Sequence, residues 1–229
     1  MRKSLLGAIA GLVIAGASGS AQAIVINQGF ETGDFTGWDT IGAASVVDGS
    51  FGSGPSNGTF QALLSTGDGA VGVAALEAFL GLAAGTLSAF SGEDVTSGSA
   101  IQQTVTVAPG ETLAFDFNFF TDEVLENDTF NDFAFAIVNS TFDVIADTFS
   151  PAVPSPTIFI SETEFQTFLE GPFILGDTFT VAFGVVDVGD EIVDSALLVD
   201  ATAVPEPAAL SLLGIALIGM GAMTRRRRR

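Results

Sequence analysis

The chain of 229 residues contains no cysteine, histidine or tyrosine, and its seven basic residues all lie near its two ends. The region 24–203 between them has no lysine, arginine or histidine. This region therefore forms no side-chain salt bridge and no disulfide, and it lacks the bases that activate a serine or threonine nucleophile. Hydrolytic triads and thiolate chemistry are excluded.

Carboxylates have the opposite distribution, because all but Glu206 of the 27 acidic residues lie in the region 24–203. A nucleic-acid partner is excluded, since phosphate binding depends on lysine and arginine. Anionic lipids and glycans are repelled unless a divalent cation lies between the charges. Two interpretations remain open: the carboxylates bind cations, or they only keep an exported, phenylalanine-rich protein soluble.

The N-terminus has the three parts of a secretory signal peptide in order. Arg2 and Lys3 precede an apolar stretch at 5–17, and Ala21 and Ala23 form a small-residue cleavage site. We predict a signal peptide at 1–23, with cleavage by signal peptidase after Ala23. An uncleaved membrane anchor is the alternative.

The C-terminal segment 204–229 combines a proline motif, an apolar run and a basic end. As a helix, 208–224 would rise about 25 Å, close to the roughly 30 Å hydrocarbon core of a bilayer. Clustered arginines stay cytoplasmic, so we predict a transmembrane helix that holds the body outside the membrane. A buried core helix is the alternative. The stop-transfer residues are Arg225, Arg226, Arg227, Arg228 and Arg229.

This segment resembles the PEP-CTERM sorting signal of Gram-negative bacteria. The resemblance lies in Pro205, Glu206 and Pro207, the apolar helix after them and the final arginines, in that order at the end of the chain. It implies recognition by an exosortase, which processes its substrates near the Pro-Glu-Pro triplet. Two prolines hold an extended backbone that the helix does not absorb, which suits a protease substrate. A proline turn that only starts a helix is the alternative.

The body at 24–203 shows strand patterns separated by glycine and proline turns. Residues 101–107 and 113–119 alternate apolar and polar side chains on either side of a turn, which predicts an antiparallel pair. Further strands are expected at 45–47, 59–64, 133–138, 178–186 and 195–203, and one short helix at 74–80. The fold class is therefore mostly β, an antiparallel sandwich with one short helix. We expect Trp38, the single tryptophan, to lie in the core.

The body also resembles the jelly-roll, galactose-binding-like domains of secreted bacterial proteins. The matching residues are 29–33 with Gly37 and Trp38 at its start and 197–200 at its end. The resemblance implies a structural calcium ion held by one acid from each segment, here Glu31 and Asp200. In that family Asn usually follows the closing Asp, whereas this chain has Ala201.

A second candidate calcium site is the acidic segment between two phenylalanine-rich strands. Its proposed ligands are Asp122, Glu123, Asp128 and Asp132. Calcium takes six to eight oxygens, and the segment offers enough carboxylates and amides, although its spacing is not that of an EF-hand. A solvated acidic loop is the alternative. The turn 187–191 with Asp194 is a weaker candidate, because hairpin turns select Asp and Gly without a ligand.

Three functions are compatible with these features. The leading hypothesis is a non-catalytic structural or interaction protein, exported and delivered to the cell surface or to extracellular polysaccharide. The second is a calcium-dependent carbohydrate-binding module. The third is a glycosidase, because paired carboxylates alone can hydrolyse glycosides. We expect no enzyme activity, since the body offers little to grip a sugar ring.

Overall fold

The computed structural model describes residues 23–123, 130–189 and 191–202. Several predicted features therefore lie outside the described residues: Ala21, Asp128, the segment 204–229 with Pro205, Glu206 and Pro207, and the final arginines. Within the described ranges, no helix is long and apolar enough to cross a membrane.

Thirteen strands and two short α-helices form the described body. In chain order they are β1 (Asp39–Ile41), β2 (Ala43–Asp48), β3 (Phe60–Ser65), β4 (Val71–Gly72), α1 (Val73–Leu80), α2 (Thr86–Ser91), β5 (Val95–Val107), β6 (Leu113–Thr121), β7 (Phe133–Val138), β8 (Thr141–Asp147), β9 (Val153–Pro154), β10 (Ser161–Glu162), β11 (Gln166–Glu170), β12 (Asp177–Val188) and β13 (Ser195–Ala201).

These strands form two antiparallel sheets. The first has the order β1-β5-β12-β7-β8, with β4 also paired to β5. The second has the order β2-β3-β13-β6-β10-β9, with β11 also paired to β6. The predicted fold class, a mostly β antiparallel sandwich, is confirmed.

The main core lies between the sheets and is built from the inward side chains of the long strands. Alternate positions of β5, β6, β12 and β13 supply it, as period-two patterns require. Trp38 is buried in this core, as predicted, and its ring contacts Phe30 and Phe115. Its buried members include Phe115, Phe119, Phe183, Ile101, Leu64 and Leu197.

Part of the outer face of each sheet is covered as well. The two helices pack through Leu76 and Leu87 on the first sheet, and a Cβ at Gly98 would lie only 2.9 Å from Leu76 Cδ2. On the second sheet, Phe51 and Phe159 pack against Phe120. Consequently every residue of β6 is buried, including the polar ones that the alternating pattern would place in water.

One prediction about pairing is wrong. Strands β5 and β6 were expected to pair with each other, but β5 pairs with β12 and β6 pairs with β13. The turn at 108–112 carries the chain from one sheet to the other, and its Gly110 N–H donates to the Phe173 carbonyl at 2.7 Å. Two segments of alternating apolar and polar residues on either side of a turn are equally compatible with a hairpin in one sheet and with a connection between two sheets.

The predicted helix at 74–80 is present as α1, whereas α2 is an additional helix. Glu77 of α1, which is buried, accepts hydrogen bonds from the N–H groups of Gly85 (2.8 Å) and Leu87 (2.9 Å). These two groups belong to the start of α2, where N–H donors have no partner within the helix. The carboxylate therefore stabilises a six-residue helix that has weak helical preference of its own.

We expect Glu77→Ala to lower the free energy of unfolding by about 2 kcal/mol, because the buried Leu87 N–H and the Gly85 N–H both lose their acceptor. Urea denaturation measures the change. The matched control is Glu93→Ala, since Glu93 is exposed after α2 and its loss should change stability by no more than about 0.5 kcal/mol. Equal effects of the two substitutions would contradict this role of Glu77.

Candidate functional site

The structure brings Glu31 and Asp200 to the same loop, residues 56–60, which leads into β3. Glu31 Oε1 accepts hydrogen bonds from the N–H groups of Thr59 (2.8 Å) and Phe60 (2.9 Å). Asp200 Oδ2 accepts from the Asn57 N–H (2.8 Å) and the Ser56 hydroxyl (3.1 Å). One loop therefore positions both carboxylates through its backbone.

Two glycines allow this close arrangement. A Cβ at Gly29 would lie 3.4 Å from Asp200 Oδ1 and 3.8 Å from Glu31 Cγ, so both acids flank the same point of the backbone. Gly58 has φ +79°, and a Cβ there would clash with Glu31 Oε1. The opening motif and the last strand thus meet as the resemblance implies.

A third carboxylate lies beside this pair. Asp116 of β6 is directly opposite Asp200 of β13, and its Oδ1 accepts from the hydroxyls of Thr167 (2.7 Å) and Thr202 (3.2 Å). On the other side of β13, the pairing with β3 ends at Val199 opposite Ala62, and the next residue of β3 is the fully buried Gln61, whose Oε1 has no hydrogen-bond partner among the described residues. Sequence analysis did not identify Asp116 or Gln61.

The electrostatics of Asp200 reflect this environment. Its side chain is fully buried, and burial raises its pKa to about 6, although hydrogen bonds from Asn57, Ala201 and Ser56 oppose the shift. A buried carboxylate with no basic residue in the body lacks a protein counter-charge. A divalent cation would supply one.

The types of donor atom present around Asp200 suit calcium. Asp200 Oδ1, Glu31 Oε2 and the orphaned Gln61 Oε1 are hard oxygen donors, which calcium prefers. Among residues 23–123, 130–189 and 191–202, no group of three or more acidic side chains is placed to hold a metal. Amide and carbonyl oxygens would therefore have to complete the coordination.

Because burial raises the pKa of Asp200 to about 6, the folded protein holds a proton there that the unfolded chain, with a pKa of about 4, releases. In chelator, raising the pH from 4 to 7 should lower the free energy of unfolding, and Asp200 should account for about 1–2 kcal/mol after allowance for solvent screening. Asp200→Asn should remove this part of the pH dependence. Urea denaturation across the pH range measures it, and parallel curves for the two proteins would contradict the assignment.

The described members of the second candidate set, Asp122, Glu123 and Asp132, lie around the end of β6, because the Ser195 hydroxyl contacts both Asp132 and Thr121 (3.0 Å to Thr121 Oγ1). Asp132 is fully buried, and its carboxylate accepts from the Val188 N–H (2.9 Å) and the Ser195 hydroxyl (2.6 Å). It thereby connects the start of β7 to β12 and β13. Both oxygens have protein donors, so the structure gives Asp132 a structural role, and calcium binding there stays a prediction.

Asp122 and Glu123 lie where β6 ends. Asp122 Oδ1 accepts from the Ile160 N–H at 2.6 Å, and the Glu123 N–H donates to Thr121 Oγ1 at 3.0 Å. Partial burial, with the negative charges of Asp122 and Asp68, raises the pKa of the nearby Asp194. Asp68 and Asp194 line a polar cavity of about 560 Å³. The structure therefore groups Asp122 with acids far away in sequence, which no local spacing could indicate.

The two candidate sets lie near opposite ends of the sandwich. Asp116, beside Asp200, and Thr121, beside Asp122, are five positions apart on β6, which corresponds to about 17 Å. One cation cannot serve both sets, so each has to be tested separately.

Three solved structures resemble the body. TmCBM61, solved in complex with beta-1,4-galactotriose, has 15% sequence identity and a TM-score of 0.41, over 79% of this chain and 96% of that chain. The K1 cleaved adhesin domain of Lys-gingipain from Porphyromonas gingivalis W83 has 16% identity and a TM-score of 0.35, over 76% and 95%. The bacteriophage CBA120 tailspike protein 4 active domain has 9% identity and a TM-score of 0.32, over 77% and 20%. A shared ligand does not follow from similarity at this level.

No curated protein matches the chain in sequence. The model of the PEP-CTERM protein-sorting motif matches residues 203–229. This range contains the Pro-Glu-Pro triplet, the apolar run and the final arginines. The chain therefore ends in a PEP-CTERM sorting motif, which implies export, exosortase processing and sorting to the bacterial cell surface.

Proposed function

We propose that this protein is an exported, non-catalytic component of the cell surface or of the extracellular polysaccharide matrix of a Gram-negative bacterium. The observation that carries the proposal is the sorting motif at 203–229 behind a folded β-sandwich. Signal peptidase removes the N-terminal peptide, the predicted helix at 208–224 anchors the body on the outer side of the inner membrane, and an exosortase then processes the chain near Pro205, Glu206 and Pro207.

The body supports a structural or interaction role. It has no basic side chain, so its contacts with a matrix must come from hydrogen bonding, apolar groups or bridging cations. It also has no histidine or lysine that could activate a serine or threonine as a nucleophile. The directly opposed carboxylates Asp116 and Asp200 are a possible glycosidase pair. Both are buried, and Thr167 and Thr202 already donate to Asp116, which argues against access by a sugar.

Fractionation of cells tests the sorting proposal. The full chain is expected in the surface or polysaccharide fraction, and a chain that ends at Ala203 is expected to stay out of that fraction while still being exported. The control is the full chain in cells without exosortase, where the protein should accumulate in the inner membrane. The same distribution for the full and shortened chains would refute the role of the motif.

A calcium-dependent carbohydrate-binding module is the second candidate, and the convergence of Glu31 and Asp200 on the loop 56–60 favours it. Calcium at this point would hold the loop, the opening segment and the last strand together. Binding to a glycan array that disappears with chelator would support this candidate. If the protein binds no glycan on the array, this candidate is refuted and the structural or interaction role is favoured.

A further inference from the structure

Both ends of the body leave the sandwich at the same end. Ile24, the first residue after the predicted cleavage site, bridges to Thr106 near the end of β5, just before the turn that leads to β6. On the neighbouring strand β13, Ala201 lies opposite Phe115, so Thr202 runs towards the same end of β6. The segments that precede and follow the body therefore start from one small area.

Large apolar side chains are exposed in this area. Ile24 bridges to Thr106, and Leu169 lies opposite Ala114 near the start of β6. Ile174 and Leu175 follow Phe173, whose N–H donates to the Glu111 carbonyl in the turn between β5 and β6. We call the surface formed by Ile24, Leu169, Ile174 and Leu175 the tether end. Ile174 is 89% exposed and Leu175 76% exposed.

The chain keeps the tether end close to the apolar run. Only residues 203–207 separate Thr202 from that run, and five residues span at most about 17 Å when fully extended. The headgroup region adds roughly 5–8 Å to each side of the hydrocarbon core. The start of the linker in an anchored body is thus confined to within roughly 10 Å of the lipid headgroups, at the high effective concentration that a short linker gives.

We infer that the tether end docks on the lipid bilayer before processing, with Ile174 and Leu175 in contact with lipid. This inference rests on the proposed anchoring of residues 208–224. Transfer of exposed Ile and Leu side chains from water to lipid is favourable in free energy. The tether removes most of the entropic cost of bringing them to the membrane, because the body is already held there. Docking orients the body and presents the Pro-Glu-Pro segment at the membrane surface, where a membrane enzyme can reach it.

The negative charge around the tether end determines which lipid headgroups it can approach. Glu111, Glu170 and Asp177 border the tether end, and the described body has no lysine or arginine to attract anionic headgroups. The contact is therefore apolar and should be strongest on zwitterionic lipid. Other exposed apolar residues, Ile158 and Ile160, lie beside Asp122 at the far end of β6, where the tether cannot bring them to the membrane.

The absence of cysteine allows a direct test with single labels. Ile174→Cys and, as the matched control, Ile158→Cys, which is 85% exposed at the far end, are each labelled with an environment-sensitive fluorophore in the full chain. Both proteins are reconstituted in phosphatidylcholine vesicles that contain lipid-borne quenchers at shallow depth. We expect several-fold stronger quenching at position 174 than at position 158.

Flotation of the vesicles separates the two possible failures. A chain that does not float with the vesicles is not anchored, which would overturn the proposed anchoring and this inference with it. A chain that floats but shows equal quenching at the two positions would overturn the docking alone. Stronger quenching at 174 on phosphatidylglycerol than on phosphatidylcholine would show an electrostatic contact and would overturn the apolar account.

Discussion

Replacement of Pro205, Glu206 and Pro207 by alanine should abolish processing and leave the protein in the inner membrane with Arg229 still attached. The two prolines lack backbone donors and hold φ near −65°, which keeps the segment extended before the apolar run. Alanine is the best helix former, so the helix that we predict at 208–224 would extend backwards through the triplet. The processing site would then lack the extended backbone that we expect the exosortase to recognise. We expect nearly complete loss of the processed form.

Mass spectrometry of the C-terminus measures this result. The wild-type chain should end near 205–207, whereas the triple variant should retain the final arginines. A matched control removes two exposed prolines elsewhere, Pro151→Ala with Pro156→Ala, and should be processed as the wild type is. Normal processing of the triple variant would show that the triplet is not what the enzyme recognises.

The strands illustrate how much of the fold the sequence could predict. β7 occupies 133–138 as predicted, because a phenylalanine-rich run with short side chains between the rings suits a strand buried on both faces. The partners of β5 and β6 could not be predicted, since alternation determines which face of a strand is buried but not which sheet the strand joins. α2 was missed because its stability depends on Glu77, a contact made only after α1 has packed.

The candidate site shows the same limit. Asp116 sits between two phenylalanines of β6, so the pattern suggests a side chain in water. The covering segments bury that face and place Asp116 opposite Asp200. Glu31 and Asp200 are far apart in sequence and came only from the family resemblance. The backbone N–H groups of the loop 56–60 that position them have no sequence signature.

Calcium should raise the melting temperature of the protein by about 5–10 °C relative to the chelated form at neutral pH. Ligand at 100 times its dissociation constant stabilises the folded state by about 2.7 kcal/mol, and each kcal/mol shifts the melting temperature of a domain of this size by roughly 2–4 °C. The physical reason is the buried Asp200 beside Asp116 and Glu31, whose negative charges have no basic partner. Thermal denaturation with calcium or with EDTA measures the difference.

Asp200→Asn separates calcium binding from a general effect of salt. The variant should lose the response to calcium, and in EDTA at pH 7 its stability should differ from that of the wild type by no more than about 1 kcal/mol, because the amide removes a buried charge but cannot accept from both the Asn57 and the Ala201 N–H groups. Asp132→Asn is the second comparison, since Asp132 belongs to the distant set, and it should keep the response while losing stability, because its oxygens accept from Val188 and Ser195. An unchanged melting temperature in wild type with and without calcium would refute the site at Glu31 and Asp200. Loss of the response in Asp132→Asn alone would place the cation at the other end of the sandwich.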